Sequence, residues 1–349
     1  MVLKRMLKTN ITEMFNIKHP IFAAPMGPFY TKELTVAVSE AGGMGVISHT
    51  NLLGIDSLKT MKEDMQYVVE HTDKPFGFNI RTGRMQFDAK RLCRQIPKFI
   101  LENQKLREQC VYALTSAGSS KMLPGNKSFQ ALKEQSDIKH FHVAPAAWLA
   151  DKCVASGVDG MVVTGSEGGG HQSYEKTGTM VLLQQVLEKH PDFPIIACGA
   201  FGNGYGLAAA LGMGAGAIAM GSRFIASQES EFHQNYKDIV PPANPQDTIL
   251  VTGFLGPIRL WRNDYAMHHG LIDSKEEKMA EEDGFTMEML LEDGKHYESV
   301  YLKGDLKTGA IPLGQSCGLI YSLDSVPEII ESIVKTAEER LRRVASFII

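Results

Sequence analysis

The sequence predicts a (β/α)8 barrel of the TIM type with a smaller C-terminal or inserted cap region. Three observations predict it. Eight short apolar runs, each closed by Gly, Pro or Ser, recur between residues 21 and 224; the segments between them carry apolar residues at three- and four-residue steps; and the runs are continuously hydrophobic rather than alternating. Continuous runs suit a parallel sheet covered on both faces, and a repeated change of period from strand to helix suits an α/β architecture.

In chain order the expected strands are IFAAP (21–25), MGVIS (44–48), FGFNI (76–80), VYALTS (111–116), FHVAP (141–145), GMVVTG (160–165), FPIIACG (193–199) and AGAIAMGSRF (215–224). Helical periodicity follows in TKELTVAVSEAG, SLKTMKEDMQYVVEHT, AAWLADKCVASG, TMVLLQQVLEKH and NGYGLAAALGMG. An open doubly wound sheet is the competing arrangement. It usually shows a dinucleotide fingerprint at the first strand-to-helix turn, and APMGPFY lacks the GxGxxG order.

After Phe224 the pattern changes to a Pro-rich loop (VPPANPQDT), an extended stretch (ILVTGFLGPIRLWRN), a charged helix-like segment (DSKEEKMAEEDGFTMEMLLED) and a terminal helix from about Val326. No second set of strand-helix units appears there. The expected organisation is a barrel over 1–225, a cap or insert over 226–325 that returns to the barrel, and a C-terminal helix over 326–349.

The bulk composition narrows the function. A formal charge of -4 with no basic stripe makes nucleic acid an unexpected partner. The N-terminus lacks a signal-peptide core and no apolar run is long enough to span a bilayer, so no membrane partner and a cytoplasmic location are expected. Cys93, Cys110, Cys153, Cys198 and Cys317 form no CxxC pair and no zinc spacing; they read as buried small hydrophobes, and no metal site is expected.

Chemistry in such barrels gathers at the C-terminal ends of the strands, with phosphate commonly held after strands seven and eight. CGAFGNGYG (198–206) and MGSRF (220–224) stand there and can present backbone N–H groups at a following helix start, which implies a phosphorylated ligand. No Walker A order is present. At the end of the sixth run, GSEGGGH places Gly168, Gly169 and Gly170 before His171. Such a loop is expected where something approaches the backbone closely, and a histidine there can act as a base near neutral pH.

The chain resembles the nitronate monooxygenase family, formerly the 2-nitropropane dioxygenases, and its relatives the type II flavin-dependent enoyl-acyl-carrier-protein reductases. The resemblance runs from His19 to Ile320 and is carried by HPIFAAPM, AVSEAGGMGVIS, PFGFNI, GVDGMVVTGSEGGGH, FPIIACGAFGNGYGLAAALGMGAGAIAMGSRF, GPIRLWRN and GAIPLGQSCGLI in that order. It implies an FMN enzyme. By motif position the phosphate would be held at Gly199, Ala200, Gly221 and Ser222, and the ring would lie near Ala24, Pro25, Met26 and Gly27. Asn79, Thr164, Gly169 and Gln315 would complete the cofactor site, with His171 as the catalytic residue.

Two activities follow from the resemblance: oxidation of a small nitronate or similar carbanionic compound with O2, or reduction of an enoyl thioester, quinone or other activated alkene with NAD(P)H as electron donor. The departures concern substrate. Ala200 stands where many members have a second glycine, Thr164 where many have Gln, and Phe29 and Tyr30 follow the first motif. The acidic segment from Glu276 to Glu292, with Trp261, His268 and His269, is expected to form a lid over the flavin's open side or the contact of a homodimer.

Overall fold

The computed structural model describes residues 7–253, 255–282 and 284–348. Eight parallel strands form its centre: β1 (Ile21–Ala23), β2 (Gly45–Ile47), β3 (Phe76–Arg81), β4 (Cys110–Ser116), β5 (Lys139–Ala144), β6 (Gly160–Thr164), β8 (Ile195–Cys198) and β9 (Ala217–Met220). Each of the eight expected runs supplies one strand. β7 (Gly170–His171), β10 (Thr248–Gly253) and β11 (Gly256–Trp261) form a separate small sheet. In the large sheet the order is β1-β9-β8-β6-β5-β4-β3-β2. The ring closes where the Ala23 amide donates to Met44 O and the Met44 amide to Ile21 O, both at 2.9 Å. The fold is a (β/α)8 barrel.

One end of the barrel is filled by rings. Phe22, Tyr112 and Phe141 pack edge-on or tilted against one another and against Phe15, at centroid distances of 5.2 to 5.7 Å. Phe15 belongs to the first helix, Asn10–Phe15, which plugs the N-terminal mouth. Thr9 fixes this plug: its hydroxyl accepts from the Thr12 amide in a capping box and donates to Gly216 O at 2.7 Å. With that end filled, open space is confined to the C-terminal ends of the strands.

The helix Val326–Ala345 packs its apolar stripe, Val326, Ile329, Ile330, Ile333, Val334 and Ala337, into the same core as Leu34 and Val38 of the helix Lys32–Glu40 and Leu207 and Ala210 of the helix Gly204–Met213. It therefore takes the place of the eighth barrel helix. The chain between Ile225 and Val326 is inserted between the last strand and this helix. Its helices Lys275–Glu282 and Met287–Lys303 and the antiparallel pair β10–β11 lie on the C-terminal side of the barrel. Among the described residues no helix is long and apolar enough to cross a membrane. Four of the five cysteines are buried; Cys198 is half-buried.

Candidate active site

The C-terminal ends of the strands and the inserted segment enclose a cavity of about 1420 Å³. Ala24, Pro25, Met26, Gly27, Asn79, Thr164, Gly169, His171, Gly199, Gly221 and Ser222 all line it. Ala200 and Gln315 do not. Gln315 instead contributes its amide, which donates to Glu167 O at 2.8 Å and ties the 3-10 helix Gln315–Leu319 to the glycine loop.

The walls are held by hydrogen bonds, and two of them leave a polar group free. After β1, the Met26 amide donates to Ser48 Oγ at 2.8 Å and the Ala24 amide to Met220 O at 3.0 Å. On β3, Asn79 donates through Nδ2 to Leu114 O and Ser116 Oγ, both at 3.2 Å, so its Oδ1 remains as an acceptor. After β9, Ser222 Oγ accepts from the Gly314 amide at 3.1 Å while its own proton has no acceptor among the described residues.

The three glycines serve three different ends. A Cβ on Gly169 would lie 2.6 Å from Gly314 N, so the close approach expected there is made by the chain itself. Gly170 has φ +79° and open space around it; it is the backbone conformation, not crowding, that would strain a side chain there. Gly168 donates its amide to Gly165 O and accepts from Gln172 Nε2 at 2.7 Å. The loop is thus cross-braced by its own chain.

His171 itself sits on β7, which pairs antiparallel with β11 at His171↔Ile258, and the next amide, Gln172, donates to Pro257 O at 2.8 Å. Arg259 on β11 reinforces this by donating from Nε to Ser166 O at 2.7 Å. The imidazole has no hydrogen-bond partner among the described residues and lines the cavity. Burial and then the positive charge of Arg81 hold its pKa down to about 4, so at neutral pH it is an uncharged acceptor.

Several lining residues carry polar chemistry that the motifs did not single out: Arg81 at the end of β3, Tyr297 and Asp293 from the helix Met287–Lys303, and Lys90, Lys121 and Lys152 toward the opening. The one signal for Arg81 in the sequence is a charge directly after an apolar run at the catalytic end of a barrel strand, and a solvated turn gives the same signal. Phe29 lines the cavity and stacks on Tyr301 at 4.9 Å, whereas Tyr30 does not reach it. From the acidic segment, Lys275, Glu282, Met287, Leu290, Leu291 and Asp293 line the cavity. Trp261, His268 and His269 do not: Trp261 borders a separate pocket with Ile239 and Leu306, and His269 packs edge-on against Tyr265.

Compared with known proteins, the nitronate monooxygenase family profile matches residues 8–336. The chain belongs to the nitronate monooxygenase family. It is accordingly an oxidoreductase. A family relative named (3aS,4S,5R,7aS)-5-hydroxy-7a-methyl-1-oxo-octahydro-1H-indene-4-carboxyl-CoA dehydrogenase, from Mycobacterium tuberculosis, is 29% identical over 98% of this chain and 99% of its own. A probable nitronate monooxygenase of Staphylococcus saprophyticus is 26% identical over 97% and 99%. Among solved structures, FabK of Thermotoga maritima superposes with a TM-score of 0.80 at 30% identity, covering 98% of this chain and 100% of that one. Nitroalkane oxidase of Streptomyces ansochromogenes, at 19% identity and a TM-score of 0.73 over 96% and 99%, shares the fold.

Proposed function

We propose that the protein is an FMN-dependent oxidoreductase whose substrate is a bulky activated alkene, an enoyl thioester, with NAD(P)H as the electron donor. The observation that carries this reading is the size of the chamber. Pockets for a single small ligand run to roughly 300–1,000 Å³, and a cavity of about 1420 Å³ leaves ample room beside a flavin. The similarity to a relative named for a carboxyl-CoA substrate supports the thioester class.

The donor set fits FMN. Gly199, at φ +105°, and Gly221 present a side-chain-free surface after β8 and β9, and the unspent Ser222 proton suits a phosphate oxygen. The Asn79 acceptor and the apolar Ala24–Met26 turn suit the edge and face of a flat heteroaromatic ring. When bound, FMN would supply hydride and electron transfer. The chain's own part is to seat it, to keep water out with the helix Met287–Lys303, and to offer His171 as a neutral proton acceptor at the cavity wall.

A second reading, oxidation of a small nitronate with O2, is favoured by the uncharged His171 next to a cationic Arg81, an arrangement suited to a carbon acid and its anion. The two are separated by mixing the FMN-loaded protein anaerobically with NADH or NADPH and, in a separate cell, with an alkyl nitronate. Rapid bleaching of the flavin by a pyridine nucleotide, reversed by an enoyl-CoA, is the expected result. Bleaching by the nitronate alone rejects the thioester reading.

A further inference from the structure

Arg81 is an unusual residue for its place. Its guanidinium lines the cavity, yet its hydrogen bonds among the described residues go from Nη2 to two neutral acceptors, His49 O at 3.5 Å and Asn51 Oδ1. Nε is buried with no partner. Another buried arginine, Arg223, also has an unpartnered Nε, but its Nη2 meets the Asp324 carboxylate at 3.1 Å as well as two carbonyls. An arginine carries five donors, so Arg81 keeps donors unspent, and the carboxylate that acts most on its charge, Asp88, is hydrogen-bonded to His49 rather than to the guanidinium.

The residue is also firmly placed. Its amide donates to His49 Nδ1 at 3.0 Å, which leaves the proton of that imidazole on Nε2, where it is donated to Asp88 at 3.0 Å. Gly27 lies against the guanidinium: a Cβ there would meet its Cζ and Nε at 3.5 Å. Arg81 stands two residues beyond Asn79 on the same face of β3, roughly 7 Å nearer the opening by strand geometry. It therefore stands above the level of the ring-binding residues, on the substrate's side. Tyr297 faces the same space, kept protonated by burial, and the adjacent acid Asp293 is occupied by the Tyr265 hydroxyl at 2.6 Å.

We infer that Arg81 is the anion-recognition residue of this chamber and binds a resonance-stabilised oxyanion of the substrate, of the carboxylate, enolate or nitronate class. A planar guanidinium matches two conjoined oxygens and is strongest where water is excluded. The inference rests on reading the chamber as a joint cofactor and substrate site, and it adds a charge requirement to the substrate.

The test uses benzoate as the planar anion and benzamide as its neutral isostere, with binding to the purified full-length protein followed by calorimetry at pH 7. The expected result is at least tenfold tighter binding of benzoate than of benzamide, and a loss of about ten- to a hundredfold in benzoate affinity in Arg81→Met, with Arg81→Lys intermediate and benzamide unaffected. Equal affinity for the two ligands in the unmodified protein overturns the inference without recourse to any variant. So does undetectable benzoate binding, or a variant that loses FMN while holding benzoate unchanged. A protein that takes up no FMN yet still prefers benzoate through Arg81 rejects the flavin reading and leaves the anion site standing.

Discussion

Gly169 and Gly314 are locked face to face: a methyl group on the first would lie 2.6 Å from the amide nitrogen of the second. Both are backbone, so neither can swing aside. Gly169→Ala is expected to destabilise the fold by about 1–3 kcal/mol and to weaken FMN retention, because the displaced segment carries the Gly314 amide that orients Ser222. Gly212→Ala is the control. This residue is exposed in the helix Gly204–Met213 with nothing within 4 Å of an added Cβ, and the change is expected to stabilise by about 0.5–1 kcal/mol. Urea denaturation of the two variants checks the opposite signs.

His171→Asn is expected to keep FMN bound and to lower turnover by about two to four powers of ten, the size of a general acid or base contribution. The flavin absorbance of the isolated variant and its turnover number are read together. Unchanged turnover rejects the catalytic role, and a colourless variant assigns His171 to the structure of the cavity wall.

The buried imidazoles are expected to lower stability on mild acidification, against a smaller opposite contribution from Asp64 and Glu231, whose carboxyls burial raises to about 6 and about 7. Burial holds the imidazoles of His19 and His142 at about 4 and that of His140 at about 3, against roughly 6.5 when unfolded. Between these values the unfolded chain binds more protons than the folded one, so the stability is fully present above about pH 6.5 and is lost as pH drops toward the folded values. His140 and His142 share one hydroxyl, Thr115 Oγ1, at 2.7 Å each, so charging either disturbs both. Urea midpoints measured at intervals from pH 7.5 to 4.5 check the slope; a flat profile contradicts it.

Tyr265→Phe removes the hydroxyl that donates to Asp293 Oδ1 at 2.6 Å and leaves a half-buried carboxylate without that donor. The Asp293 pKa, already raised by burial, is expected to rise further. The helix Met287–Lys303 is expected to open more readily, with amide exchange about tenfold faster, a shift of about 1.4 kcal/mol. Hydrogen exchange resolved to peptides over that helix is the measurement, with the helix Val326–Ala345 as the unaffected reference.

The barrel was legible because its signals are local. A run such as GMVVTG is apolar on both faces and closed by glycine, and TMVLLQQVLEKH shows its period within one helix. The bracing of the glycine loop was not legible, since its partners, Pro257, Ile258 and Gly314, come from distant parts of the chain. Arg81 escaped for a different reason. The apolar run FGFNI ends at Ile80, and a charge just past a strand ordinarily reads as a solvated turn; only the register of β3 with β4 puts Arg81 in the strand. Trp261, His268 and His269 suggest the open side by their side-chain types alone, but none lines the chamber: Trp261 borders a separate pocket and His269 packs on Tyr265.

The small sheet makes the imidazole a passenger of the inserted segment. His171 hangs from β11, and β11 is fixed along its whole length to β10 rather than to the barrel ring. Substitutions that reshape the roof of the chamber therefore also re-aim the imidazole, whereas the strand-end positions Ala24 to Met26 and Asn79 stay where the eight strands put them. In this architecture a reshaped roof and a re-aimed imidazole are inherited together, and the inserted segment reaches the barrel floor through Gly314, at Gly169 and Ser222.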